Sequence, residues 1–117
     1  MRIEGEVHVT EVPGRPVSAT AHIRLQDVSR ADAVATTVAE VTLEDVRFPG
    51  HSPFDLPFLL EVDGARLDPR ASYIVAVHVD MTGSGEVTVG DYVTVQSVPA
   101  PAPDSREPLH IPVRAVQ

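Results

Sequence analysis

The fifteen residues LDPRASYIVAVHVDM, Leu67 to Met81, constrain this chain more than any other stretch, because they join a stiff turn to its strongest strand signal. The spacing Leu67-x-Pro69-x-x-x-Tyr73 predicts a tyrosine corner, in which the Tyr73 hydroxyl reaches back to a backbone group a few residues upstream and pins a crossing between two sheets. Pro69 fixes its own φ and pushes Asp68 towards an extended conformation. From there Tyr73, Val75, Val77, Val79 and Met81 alternate with Ile74, Ala76, His78 and Asp80. A period of two, rich in β-branched residues, predicts a central strand whose polar face, His78 included, turns to solvent.

The remaining chain repeats this pattern in short pieces. Residues 2–12 alternate Ile3, Val7 and Val9 with Glu4, Glu6, His8 and Thr10, and 19–28 alternate Ala21, Ile23 and Leu25 with His22, Arg24 and Gln26. Between them Val12-Pro-Gly-Arg-Pro breaks the chain, so the two stretches are expected to close a hairpin. Two registers match charges: one sets Glu6 against Arg24 and His8 against His22, the other Glu4 against Arg24 and Glu6 against His22. A polar link, 27–33, offers Ser29 or Asp32 as a cap for one helical turn. Residues 34–46 compete between helix and strand; their Val and Thr content favours a strand, with Val41 and Leu43 as its buried pair.

After a turn at 48–53, FDLPFLLEV predicts a strand over 54–62 whose Pro57, lacking a ladder donor, belongs on an edge or bulge. Further strands are expected at 86–89, 92–98 and 109–116, with a hairpin turn at 82–85 and a proline-rich loop at 99–108. The sum is one all-β domain over residues 1–117, a single antiparallel β-sandwich of seven or eight strands, immunoglobulin- or fibronectin-III-like, with the tyrosine corner at Leu67–Tyr73.

Composition narrows the function. All nine basic residues are arginine, which removes Schiff-base lysines and phosphate-loop lysines, and there is no cysteine for thiolate chemistry or lipid attachment. A net charge of −8 repels nucleic acid and anionic lipid. The absence of tryptophan, with five Phe and Tyr in total, leaves little for stacking sugars or bases.

Of the histidines, His8 and His22 are the candidates for a metal pair, and only in the register that opposes them; two ligands fall short of the three or four that zinc sites use. A calcium loop at Asp63-Gly64 and Asp68-Pro69 lacks oxygen ligands at Ala65 and Leu67. Gly83-Ser84-Gly85 has no helix behind it to bind phosphate, and no nucleophile elbow surrounds any serine. The residues therefore favour a non-enzymatic protein without a cofactor. Its partner is a protein or peptide, engaged at an unpaired edge or through Phe54, Leu56, Phe58 and Leu60, while Leu67, Pro69 and Tyr73 serve the structure. A second copy could occupy the same edge. The alternative is a small-molecule or carbohydrate-binding module, or a hydrolase-like enzyme, with a site between loops.

Three segments in order, IRLQDVSRADAVATTVAEVTL at Ile23–Leu43, FDLPFLLEVD at Phe54–Asp63 and LDPRASYIVAVHVD at Leu67–Asp80, resemble the YbaY/YscW-type lipoprotein family, which includes pilotin chaperones of type III secretion. The resemblance implies a small β-sandwich without enzymatic activity and, in the pilotin branch, binding and delivery of a secretin subunit. The sequence as given shows neither an export signal nor the family's lipidated cysteine, so the expected location is cytoplasmic, or periplasmic and outer-membrane-associated if an export segment precedes it.

Overall fold

The computed structural model describes residues 1–30, 34–101 and 107–117. Seven strands follow one another as β1 (Arg2–Val9), β2 (Val17–Asp27), β3 (Thr36–Phe48), β4 (Phe54–Glu61), β5 (Tyr73–Asp80), β6 (Tyr92–Val93) and β7 (Leu109–Ala115), with one 3-10 turn at Gly64–Arg66. Among the described residues no helix is long and apolar enough to cross a membrane. The valine-dense middle is strand, and β-branched side chains are the reason: they lose rotamer freedom in a helix and pack well on a pleat.

The strands form one sheet in the order β3-β2-β5-β6-β7-β1-β4, curled into a nearly closed barrel. The expected antiparallel, immunoglobulin-like sandwich of two facing sheets is not what the chain builds. The two halves are joined through β7, which pairs with β1 over Leu109–Val113 and with the two-residue β6 at Arg114 and Ala115, while β6 in turn pairs with β5. Nor is the sheet wholly antiparallel: β1 and β7 run parallel, Gly5 opposite Leu109 and Val9 opposite Val113. The edge strands β3 and β4 are joined by the turn at 49–53 and share no ladder.

The expected β1–β2 hairpin does not form. β1 pairs with β4, Arg2 opposite Glu61 through Val9 opposite Phe54, and β2 pairs with β3 and β5. Neither anticipated set of charge pairs exists; Arg24 bonds Glu40 of β3 instead, and His8 bonds Asp55 of β4. Gly5 explains the choice of partner. A Cβ there would lie 2.6 Å from the Leu109 carbonyl oxygen, so only glycine lets β7 approach β1 this closely.

Alternate residues fill the barrel: Ile3 and Val7 from β1, Ile23 and Leu25 from β2, Val75, Val77 and Val79 from β5, and Ile111 and Val113 from β7. Phe48 closes one end against Phe54 and Tyr92, its ring centroid 4.9 and 6.5 Å from theirs. Pro57 lies on a terminal strand, where its missing amide costs least. Val41 and Leu43, expected to be buried, are half-exposed because β3 is an edge and no described strand pairs beyond it to cover their outer flank.

Two segments of the C-terminal half and the polar link at 27–33 differ from expectation. Residues 86–89 are loop, not strand, and β6 is two residues long in place of 92–98. Beyond it the chain turns back to β5, where the Val75 amide donates to the Val98 carbonyl and the Ala100 amide to the Tyr73 carbonyl. In the polar link Ser29 donates both its amide and hydroxyl to Asp27 Oδ1, closing a side-chain turn in place of a helical cap. Asp32 and part of the proline-rich loop lie outside the described residues.

Candidate functional site

At one end of the barrel the strand termini leave an apolar cleft of about 560 Å³, lined by Met1, Leu25, Leu67, Pro69, Tyr73 and Pro101 with Ala71, Ala100, Gly64 and Asp68. Each wall has a local cause. Met1 is held by a backbone pair with Val62, its ammonium donating to the Val62 carbonyl at 3.0 Å and the Val62 amide donating back at 2.9 Å. The 3-10 turn is capped by Asp63, whose side chain accepts from the Ala65 amide, and it delivers Leu67 in extended conformation. Asp68 then accepts from the Arg70 amide, turning the chain around Pro69.

Tyr73 closes this wall. Its hydroxyl accepts a 2.8 Å hydrogen bond from the Asp68 amide, five residues upstream. The reach predicted from the Leu-x-Pro-x-x-x-Tyr spacing is there, but it is exposed and local, and it braces the rim of the cleft within a single curled sheet. Leu67, Pro69 and Tyr73, read from sequence as structural, thus also line this apolar opening. The signal for that was present: an apolar residue and a proline inside a polar turn offer apolar surface with little to cover it.

The four partner candidates on β4 are placed differently. Leu56, Phe58 and Leu60 face the barrel interior and are buried, and Phe54 packs its half-buried ring edge-on against Phe48. Their side chains hold the core and do not present a surface to a partner. Leu59, the apolar residue that interrupts the alternation of β4, lies half-exposed on the outer face.

The metal candidates are separated. His8 sits on β1 beside Asp55, whereas His22 lies on β2 opposite His78, with the two imidazoles stacked at 5.7 Å and 27°. His78 was expected in solvent. It is 6% exposed, because the loop after β5 folds over the outer face and brings Asp91, 0% exposed, against it. His78 Nε2 donates to Asp91 Oδ2 at 2.8 Å, and Asp91 also accepts the Met81 and Thr88 amides. Beside them Asp80 accepts the amides of Thr82, Gly83 and Gly85.

His78, Asp80 and Asp91 place ligand-capable atoms within 4.8 Å of one another. Their oxygens are already engaged by the backbone, so the cluster acts as a clasp for the 81–91 loop. Burial by itself raises the Asp91 carboxyl, but the hydrogen bonds from His78, Met81 and Thr88 and the field of the His78 ring more than reverse this, leaving its pKa below the ordinary value. Asp80 is lowered likewise, its burial outweighed by the amides of Gly85, Thr82 and Gly83.

The two places have different capacities. The clasp is saturated, whereas the cleft is open, apolar and of the size that accepts a few side chains of another molecule. Comparison with known proteins bears on which matters. A solved structure of an alternative pilotin from the type II secretion system of Vibrio cholerae superposes with a TM-score of 0.72 over 100% of this chain and 97% of that one, at 22% identity, which shows a shared fold. No curated protein matches the chain. The family model described as type III secretion system lipoprotein chaperone (YscW) matches residues 1–101, nearly the whole barrel. The sequence resemblance to that family is thereby established, and the chain belongs to the YscW family of type III secretion system lipoprotein chaperones.

Proposed function

We propose that the protein is a non-enzymatic, pilotin-like chaperone that holds an apolar segment of a secretin subunit in the cleft at Leu67–Tyr73. The observation that carries this reading is the cleft itself, whose walls are apolar side chains and whose Tyr73 hydroxyl is already committed to the Asp68 amide. Such a site offers burial to a partner's side chains and little means of transforming them. A secretin partner puts the working place of the protein in the periplasm or at the outer membrane, which cell fractionation tests.

Overlapping synthetic peptides spanning a secretin subunit from the same cell, titrated by calorimetry, test the proposal. One apolar window should bind saturably, and Leu67→Asp should weaken it at least tenfold while circular dichroism is unchanged. Failure of every window to bind, or equal affinity for the variant, would overturn it. The cleft volume also suits a small apolar molecule, the second reading, and native mass spectrometry showing a co-purified ligand in that mass range would favour it.

A further inference from the structure

We infer that the free edge of β3 over Ala39–Leu43 is a second docking surface, distinct from the cleft, which takes an extended partner segment alternating apolar and basic residues. β3 and β4 terminate the sheet, so each presents backbone groups with no ladder partner among the described residues. On β4 this edge is blunted by Pro57, which has no amide to offer. β3 contains no proline over its thirteen residues. Its protection lies in two irregularities, a register shift where Ala39 and Thr37 meet Leu25 and Gln26, and another between Leu43 and Val46, where Asp45 adopts φ 54°. Between them the five residues Ala39–Leu43 pair one to one with Leu25–Ala21, without a bulge.

The side chains of this stretch are incomplete on one flank. Ala39, Val41 and Leu43 share a face with Leu25, Ile23 and Ala21, which are at most 1% exposed, yet they are themselves half-exposed. Apolar residues at alternate positions of an added strand cover that flank while its backbone satisfies the edge. The opposite face and the adjoining bulge carry Glu40, Glu44 and Asp45; Glu40 is engaged by Arg24, while Glu44 and Asp45 have no ion pair among the described residues. Together with a net charge of −8, this selects basic residues at the intervening positions. A second copy brings another acidic edge, and like charges across a strand pair oppose it. No residue of β3 lines the cleft, so the two surfaces are separable.

The probe is an acetylated and amidated peptide of five Val-Lys repeats, followed by fluorescence anisotropy and by amide hydrogen exchange of the full protein. Saturable binding is expected, with exchange slowed at least tenfold along residues 39–43. N-methylating the amides on one edge of the peptide should abolish binding, and methylating the other edge should leave it. Replacing Lys by Glu should lose binding, and Leu67→Asp in the protein should retain it. Absence of binding, equal binding of the Glu peptide, protection at 67–73 in place of 39–43, or a dimer through β3 in sedimentation would each overturn the inference.

Discussion

The Tyr92 hydroxyl donates to the Glu11 carbonyl at 2.6 Å, joining β6 to the segment after β1 across 81 residues of sequence. Tyr92 is buried, and burial, with the charge of Glu11, raises its pKa, so the phenol stays a donor throughout the physiological range. Tyr92→Phe leaves that acceptor without its partner and should cost about 1–2 kcal/mol in urea unfolding. Tyr73 is the contrast, since the exposed Asp68 amide finds water when the hydroxyl is removed. Tyr73→Phe should cost less than about 0.5 kcal/mol. A larger loss for Tyr73→Phe than for Tyr92→Phe would mean the long-range tie is at the wrong tyrosine.

Leu59 and Leu60 are neighbours on β4 with opposite fates. Leu60 is 1% exposed in the barrel interior, and truncation to Ala should cost about 2–5 kcal/mol through lost burial and a residual cavity. Leu59 sits half-exposed on the outer face, and Leu59→Ala should cost less than about 1 kcal/mol. If Leu60→Ala left the urea midpoint in place while removing partner binding, β4 would be a recognition surface after all.

The longer strands were legible because alternation is local, whereas 86–89 and most of 92–98, too short to alternate clearly, were not. Alternation in IVAVHVD and FDLPFLLE states which side chains share a face whichever strand lies alongside, and Gly, Pro and Asp mark the turns. Pairing is not local. The break at Val12-Pro-Gly-Arg-Pro suggested a β1–β2 hairpin, and Glu4, Glu6 and Arg24 its registers, but those charges lie on the outer face and decide little, whereas Gly5 admits β7 at a distance no other residue permits. A glycine inside a strand was the available signal for that parallel pair. His78 was misplaced for a related reason: its alternation puts it on the outer face correctly, and only the return of Asp91 from thirteen residues away covers that face. The cleft was half legible, since the residues that build it were identified for their stiffness and not for the apolar surface that stiffness holds open.

Gly5→Ala tests the parallel seam. The added Cβ would lie 2.6 Å from the Leu109 carbonyl oxygen and 3.0 Å from Phe58 Cε1, so either β7 or the Phe58 ring must shift. The expected cost is about 1–3 kcal/mol, with amide exchange accelerated along Leu109–Val113 more than along β2. Unaltered exchange in β7 would show that glycine is not what lets it dock.

The clasp on the outer face makes stability depend on acid. Asp91 and Asp80 have folded-state pKa values below their ordinary ones, so the unfolded chain takes up protons first as pH falls. Their contribution is fully present above the ordinary carboxylate pKa of about 3.9 and is lost as pH falls from there through the lower folded values. Asp91→Asn keeps an acceptor for Met81 but presents an amide where Thr88 and His78 now donate, and should cost about 2 kcal/mol at pH 7. In the variant the acid limb of a stability–pH curve should be shallower, and exchange across residues 81–91 faster, since the loop loses what pins it to β5. An acid limb as steep as the parent's would place the titrating groups elsewhere, leaving the His78–Asp91 contact without the energetic role its burial and short distances assign to it.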